Sequence, residues 1–235
     1  MKNVSVILLA ASLMSAVACG NKSTSSSPSS ISMLLTEEGK YLAILSPLNS
    51  HVAGETSGEA IIRVKGDDFA AEVKINGTPA QIVHTQNIHV AEICPTLSSD
   101  LNKDGIIDAV EGLKSYGQAV IPLDNQLTTQ IESDTRFPKA DFSGNYYYRQ
   151  NVSMMEMMID LTKKDFDSKD NLIKLKSSLG IAGRHIVIYG AAEDANLPES
   201  VAALAGQTKQ ASLPIACGTF LKVASDDNSS SGAKE

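Results

Sequence analysis

Short runs of β-branched and apolar residues, separated by Gly- and Asp-rich breaks, predict a mainly β fold, an antiparallel sandwich or barrel. The sequence offers nine such runs, strict alternation in the clearest of them, and only a few segments with helical signals. The first three runs are residues 41–46, 59–65 and 69–75. In the third, Ala71, Val73 and Ile75 alternate with Glu72 and Lys74, so one face lies in a core and the other in water. Asn76-Gly77 then turns the chain. Further strands are expected at 81–84, 88–93, 118–122, 145–149, 185–189 and 215–223. Ser153 with Glu156 has capping-box spacing ahead of a helix over 157–161. Pro198 stands where a first helical turn would precede 201–204.

Residues 1–18 read as an export signal, with Lys2 as the basic region, an apolar run over 4–17 too short to span a bilayer, and small Ala16 and Ala18 before Cys19. Ala16-Val17-Ala18-Cys19 resembles the lipobox of bacterial lipoproteins, which implies cleavage before Cys19 and a thioether-linked lipid on it. Gly20, in place of an aspartate, points by the same resemblance to the outer membrane, on its periplasmic or surface side. Residues 19–33 form a Ser-rich tether, 34–224 one domain, and 225–235 an acidic, Ser-rich, disordered tail.

Losing Lys2 and no acid leaves 19 basic against 27 acidic residues, a formal charge of −8, which disfavours nucleic acid and anionic membrane surfaces. Beyond Cys19 only Cys94 and Cys217 remain, and an even pair in an exported chain is most simply a disulfide.

The most specific motif runs from Asp100 to Glu111 and matches an EF-hand calcium loop. Asp100, Asn102 and Asp104 supply oxygens at positions 1, 3 and 5, Gly105 allows the sharp turn, and Ile106 offers its carbonyl. Asp108 acts directly or through water, and Glu111 closes the site bidentately. Ile107 is the apolar residue that pins such a loop to a core. Pro95 leaves no room for an entering helix, whereas 109–116 suits an exiting one. A lone loop on an extracellular domain implies a structural Ca²⁺ with a dissociation constant of about 0.1–1 mM.

Three stretches resemble copper-zinc superoxide dismutases and the related CHRD-type sandwich domains. They are Asn87-Ile88-His89-Val90-Ala91-Glu92, Gly183-Arg184-His185-Ile186-Val187-Ile188-Tyr189 and Ala216-Cys217-Gly218. The resemblance implies a Greek-key antiparallel β-sandwich and supports the Cys94–Cys217 pairing. It does not carry the copper chemistry over. Redox copper needs several converging imidazoles, yet Ala91 and Tyr189 stand where ligand histidines would be, and Pro214 replaces the substrate-guiding arginine.

The remaining candidates have bland readings beside sharper ones. His84 and His89, with His51 or His185, are a possible residual metal site or hydrogen-bonded structure. Met154, Met155, Met157 and Met158 are core packing or soft Cu(I) ligands. Tyr146 to Tyr148 alternate across a strand and either pack or rim a binding surface. No nucleophile elbow, phosphate loop or zinc-protease motif is present, so no catalytic set is legible. The expectation is a calcium-binding envelope lipoprotein serving as a non-catalytic binding or structural module. Its partners are the membrane, through the lipid, and an envelope protein or glycan. The alternatives are a divergent metalloenzyme with a metal near His84 and His89, and a periplasmic copper carrier.

Overall fold

β1 (Gly39–Pro47), β2 (Ser57–Lys65) and β3 (Asp68–Asn76) follow one another as antiparallel neighbours, as their alternating sequences require. The computed structural model describes residues 38–91, 93–127, 136–157 and 180–224. The expected export signal, Cys19, tether and tail, together with Glu92, Met158 and the rest of the helix expected over 157–161, lie outside them.

Six further strands complete a nine-stranded antiparallel sheet: β4 (Gln86–His89), β5 (Ala119–Pro122), β6 (Tyr146–Ser153), β7 (His185–Tyr189), β8 (Pro214–Thr219) and β9 (Leu221–Val223). The order is β5-β4-β7-β8-β1-β2-β3-β6, with β9 also on β1. β3 takes β6 as its neighbour and β4 takes β7, the crossing connections of a Greek key. The sheet curls so that its two arms enclose one core, in which Tyr41, Ile62, Phe69 and Ile75 from one arm meet Ile88, Ile186, Ile188 and Ile215 from the other.

The arms join where Ser46 and Pro47 of β1 pair with Cys217 and Ala216 of β8. Gly218 is required at this corner, because a Cβ there would lie 2.5 Å from the carbonyl oxygen of Ile44. At the opposite margin β6 is tied by side chains to β4 and to the chain just beyond β5: the Tyr146 hydroxyl donates to Gln86 Oε1 at 3.1 Å, and that of Tyr148 to the carbonyl of Asp124 at 2.6 Å.

The second arm is buried on both faces. Ile186 and Ile188 of β7 enter the main core, whereas Val187 and Tyr189 pack outward with Cys217, Tyr116 and the partly buried Leu48, Cys94 and Leu113. That outer cover is α2 (Ala109–Tyr116) and the connection before it. Residues 1–37 precede β1 at Gly39, and eight strand steps carry the chain about 26 Å to Pro47. The turn after Pro47 is where Ile107 of the loop is held, so Gly39 lies at the other end of β1 from that contact.

Four expectations need correction. Residues 81–84 form no strand: Gln81 takes a positive φ of 63° and only Val83 bridges, to Lys139. The strand expected over 88–93 is β4, ending at His89, because the N–H groups of Val90 and Ala91 turn to Gln118 and Tyr116. The single strand expected over 215–223 is broken at Phe220, whose N–H goes to Arg184. Residues 201–204 are not helical, since the Ala202 N–H is diverted to Asp108. The short helices α1 (Ser50–Ala53) and α3 (Lys209–Ser212) carry no signal strong enough to be expected. A helical turn does begin at 154, where Ser153 Oγ accepts from the Glu156 N–H. Met154 and Met157 there are buried in the core, and Met155 is half-exposed.

Candidate functional site

The loop from Asp100 to Glu111 begins after a 3₁₀ turn (Leu97–Ser99) in place of an entering helix, and leads into α2. Its backbone takes left-handed conformations at Lys103, φ 62°, and Gly105, φ 86°. The second is the turn that requires glycine. Backbone N–H groups orient the side-chain oxygens. Asp100 accepts from Lys103 and Gly105 at 2.7 and 2.8 Å, Asn102 from Asp104 at 2.9 Å, and Asp104 from Ile106 at 2.9 Å.

Asp108 and Glu111 are engaged more heavily. Asp108 Oδ1 caps α2 by accepting from Val110 and Glu111, both at 2.9 Å, and its Oδ2 accepts from Ala202 at 2.8 Å. A carboxylate oxygen offers two lone pairs, so only one remains on Oδ2 for a cation or its water. Glu111 Oε1 accepts from Leu101 and Asn102 at 2.8 and 3.2 Å, and Oε2 from Asp108 at 3.2 Å.

Four carboxylates, an amide oxygen and the Ile106 carbonyl form an all-oxygen donor set that fits a hard cation. The carboxylates are turned onto backbone N–H groups, and among the described residues no group of three or more His, Cys, Asp and Glu side chains is drawn together to hold a metal. No lysine or arginine among the described residues is ion-paired with Asp100, Asp104, Asp108 or Glu111.

Chain from far away in sequence braces the loop. The Ser200 hydroxyl donates to Asp104 Oδ2 at 2.6 Å, and Asn102 Nδ2 reaches the Ser200 carbonyl at 3.4 Å. Burial pushes the Asp104 carboxyl up, but hydrogen bonds from Ser200, Ile106 and Asn102 outweigh it and hold the pKa below the usual carboxylate value. Ser200→Ala is therefore expected to raise the Asp104 titration midpoint. Carboxyl NMR measures it, and an unmoved midpoint would contradict the bond.

The Cys94–Cys217 disulfide, with a Cα–Cα distance of 5.9 Å, ties the chain six residues before the loop to the middle of β8. It lies in the same outer layer as Tyr189 and Tyr116.

Three of the four histidines are buried. His89 Nδ1 faces the Gly117 carbonyl at 2.8 Å and must donate to it, which leaves Nε2 to accept from the Tyr189 hydroxyl at 3.1 Å. His185, opposite His89 in the β4–β7 register, lies between the Ala91 carbonyl and the Thr219 hydroxyl, both at 2.8 Å. His84 lies between two carbonyls, of Tyr189 at 3.0 Å and Pro79 at 2.9 Å. Burial lowers its pKa against the pull of both carbonyls. His51 is exposed on α1. The ring nitrogens of His84 and His89 are thus engaged by protein groups.

Burial drives the His89 pKa down to about 4 from 6.5, so the unfolded chain binds this proton more readily than the folded one. The resulting stability is complete above pH 6.5 and is lost as pH falls towards 4. A difference of that size corresponds to about 3 kcal/mol. Urea unfolding across pH 7.5 to 4 is expected to show this decline, with a flatter profile in His89→Gln. Identical slopes in the two proteins would rule the assignment out.

Reasoning from sequence singled out the oxygen-bearing residues of the loop, the cysteines and the histidines, and missed the residues that contact the loop from elsewhere in the chain: Asn49, Ser200 and Ala202. No helix among the described residues is long and apolar enough to cross a membrane. No known family model matches the chain, and no curated protein matches it.

Proposed function

We propose that this chain is a calcium-binding lipoprotein of the bacterial envelope, a non-catalytic binding or structural module anchored through Cys19. The observation that carries the reading is the loop itself: oxygen donors at every EF-hand position on a backbone with left-handed turns at Lys103 and Gly105. In this reading Asp100, Asn102, Asp104, the Ile106 carbonyl and Glu111 hold a Ca²⁺ ion, with Asp108 contributing through water. The ion supplies a charge centre that fixes the long connection between β4 and β5.

Kinship with the superoxide dismutase and CHRD sandwiches is part of the proposal. It is supported by the adjacency of β4, β7 and β8, which contain most of the three stretches of resemblance, and by the disulfide on β8. The engaged nitrogens of His84 and His89 favour a structural role for both. A lipid tether would join the domain at the end opposite the loop, presenting the loop, with exposed Leu97, Leu101 and Val110, to an envelope protein or glycan.

Elemental analysis by mass spectrometry of the full chain, purified from the envelope without chelator, is expected to find calcium at about one ion per chain. Stoichiometric copper, zinc or iron without calcium would overturn the reading in favour of a metalloenzyme or copper carrier. Cys19→Ser is expected to move the protein from the membrane fraction to the soluble fraction, and a variant still pelleting with membranes contradicts the anchor.

A further inference from the structure

A loop standing alone has no neighbouring loop to pair with its buried backbone. Ile107, at 3% exposure, lies between Ile106, whose carbonyl is the loop's backbone ligand, and Asp108. Its N–H donates to Asn49 Oδ1 at 2.9 Å, and its carbonyl accepts from Asn49 Nδ2, also at 2.9 Å. The same Nδ2 donates to the Pro214 carbonyl at 3.0 Å, the first residue of β8. One buried carboxamide therefore ties the centre of the loop to the junction of β1 and β8, across 58 and 165 residues of sequence.

The consequence follows from peptide planarity. In a trans peptide the C=O of one residue points opposite to the N–H of the next. Holding the Ile107 N–H against Asn49 aims the Ile106 carbonyl the other way, into the loop. Holding the Ile107 carbonyl likewise turns the Asp108 N–H away from Asn49, where it donates to Glu111 Oε2 at 3.2 Å. We infer that Asn49 is the positioning residue of the cation site, orienting the Ile106 carbonyl and the Glu111 carboxylate from outside the loop. The residue type suits the place, since Asn49 has φ 52° and ψ 36°, a left-handed conformation that asparagine tolerates.

This inference rests on the calcium reading, and its test separates the two. Calcium chloride is titrated calorimetrically into the full chain and into Asn49→Gly, which keeps the left-handed backbone and removes the carboxamide. The variant is expected to bind calcium about 10- to 100-fold more weakly, while remaining folded in chelator by circular dichroism. A purely structural role would lower the chelator unfolding temperature and leave the affinity of the folded protein unchanged, and that result overturns the inference alone. Wild-type protein that takes up no calcium overturns both readings. If Asn49→Gly does not fold, amide hydrogen exchange in the wild type decides: calcium is expected to slow exchange at Ile107 at least tenfold, and an unchanged rate overturns the inference.

Discussion

Replacing both Cys94 and Cys217 with alanine is expected to lower unfolding stability by about 4 to 5 kcal/mol in the chain-entropy model. The bond closes a loop of 123 residues, and freeing so long a segment enlarges the unfolded ensemble. The effect in the folded protein is local and adds to this. Cys217 is 3% exposed beside Val187, Tyr189 and Tyr116, the layer by which α2 covers the second arm of the sheet. Cys94 also anchors the short stretch leading to Asp100, so calcium affinity is expected to fall along with stability. Urea unfolding at pH 7 in chelator isolates the first effect, and calcium titration of the folded variant reads the second. A stability change below about 1 kcal/mol would mean that other contacts hold the connection as well as the bond does.

Glu111→Gln is expected to abolish the calcium-dependent part of stability. At a calcium concentration about 100 times the dissociation constant, a single site stabilises the folded chain by about 2.7 kcal/mol. The amide of glutamine has one oxygen and no charge, so it cannot close on the ion as a bidentate carboxylate does. A smaller loss is expected in chelator as well, because the Glu111 carboxylate also accepts from the N–H groups of Leu101, Asn102 and Asp108. The informative quantity is the difference between the two conditions. Thermal unfolding of both proteins in calcium and in chelator measures it, and equal losses in the two would refute a role for Glu111 in binding the ion.

Where sequence reading succeeded, the determining interactions were local. The alternation of 69–75 required a strand with one buried face, and β3 buries Phe69, Ala71, Val73 and Ile75. The left-handed turn at Gly105 was legible because glycine adopts that conformation without steric cost. The helix expected over 109–116 and the turn at 154 capped by Ser153 rest on contacts between residues two to four apart. Where it failed, a partner distant in sequence competed for a backbone group. The Ala202 N–H that a helix would have kept goes to Asp108, 94 residues away, and the strand after His89 ends because Val90 and Ala91 bond towards the far end of α2.

The candidate site divides in the same way. Its oxygen donors lie within twelve residues, at the spacing of an EF-hand motif. The sequence by itself therefore determined the class of fold, the donors of the loop and the two cysteines available to pair. Only the tertiary structure decided what holds the loop in place of an entering helix. Asn49, Ser200 and Ala202 act through hydrogen bonds whose partners the fold brings together, and nothing about an asparagine after a strand or a serine after Pro198-Glu199 announces which distant carbonyl or carboxylate it will meet.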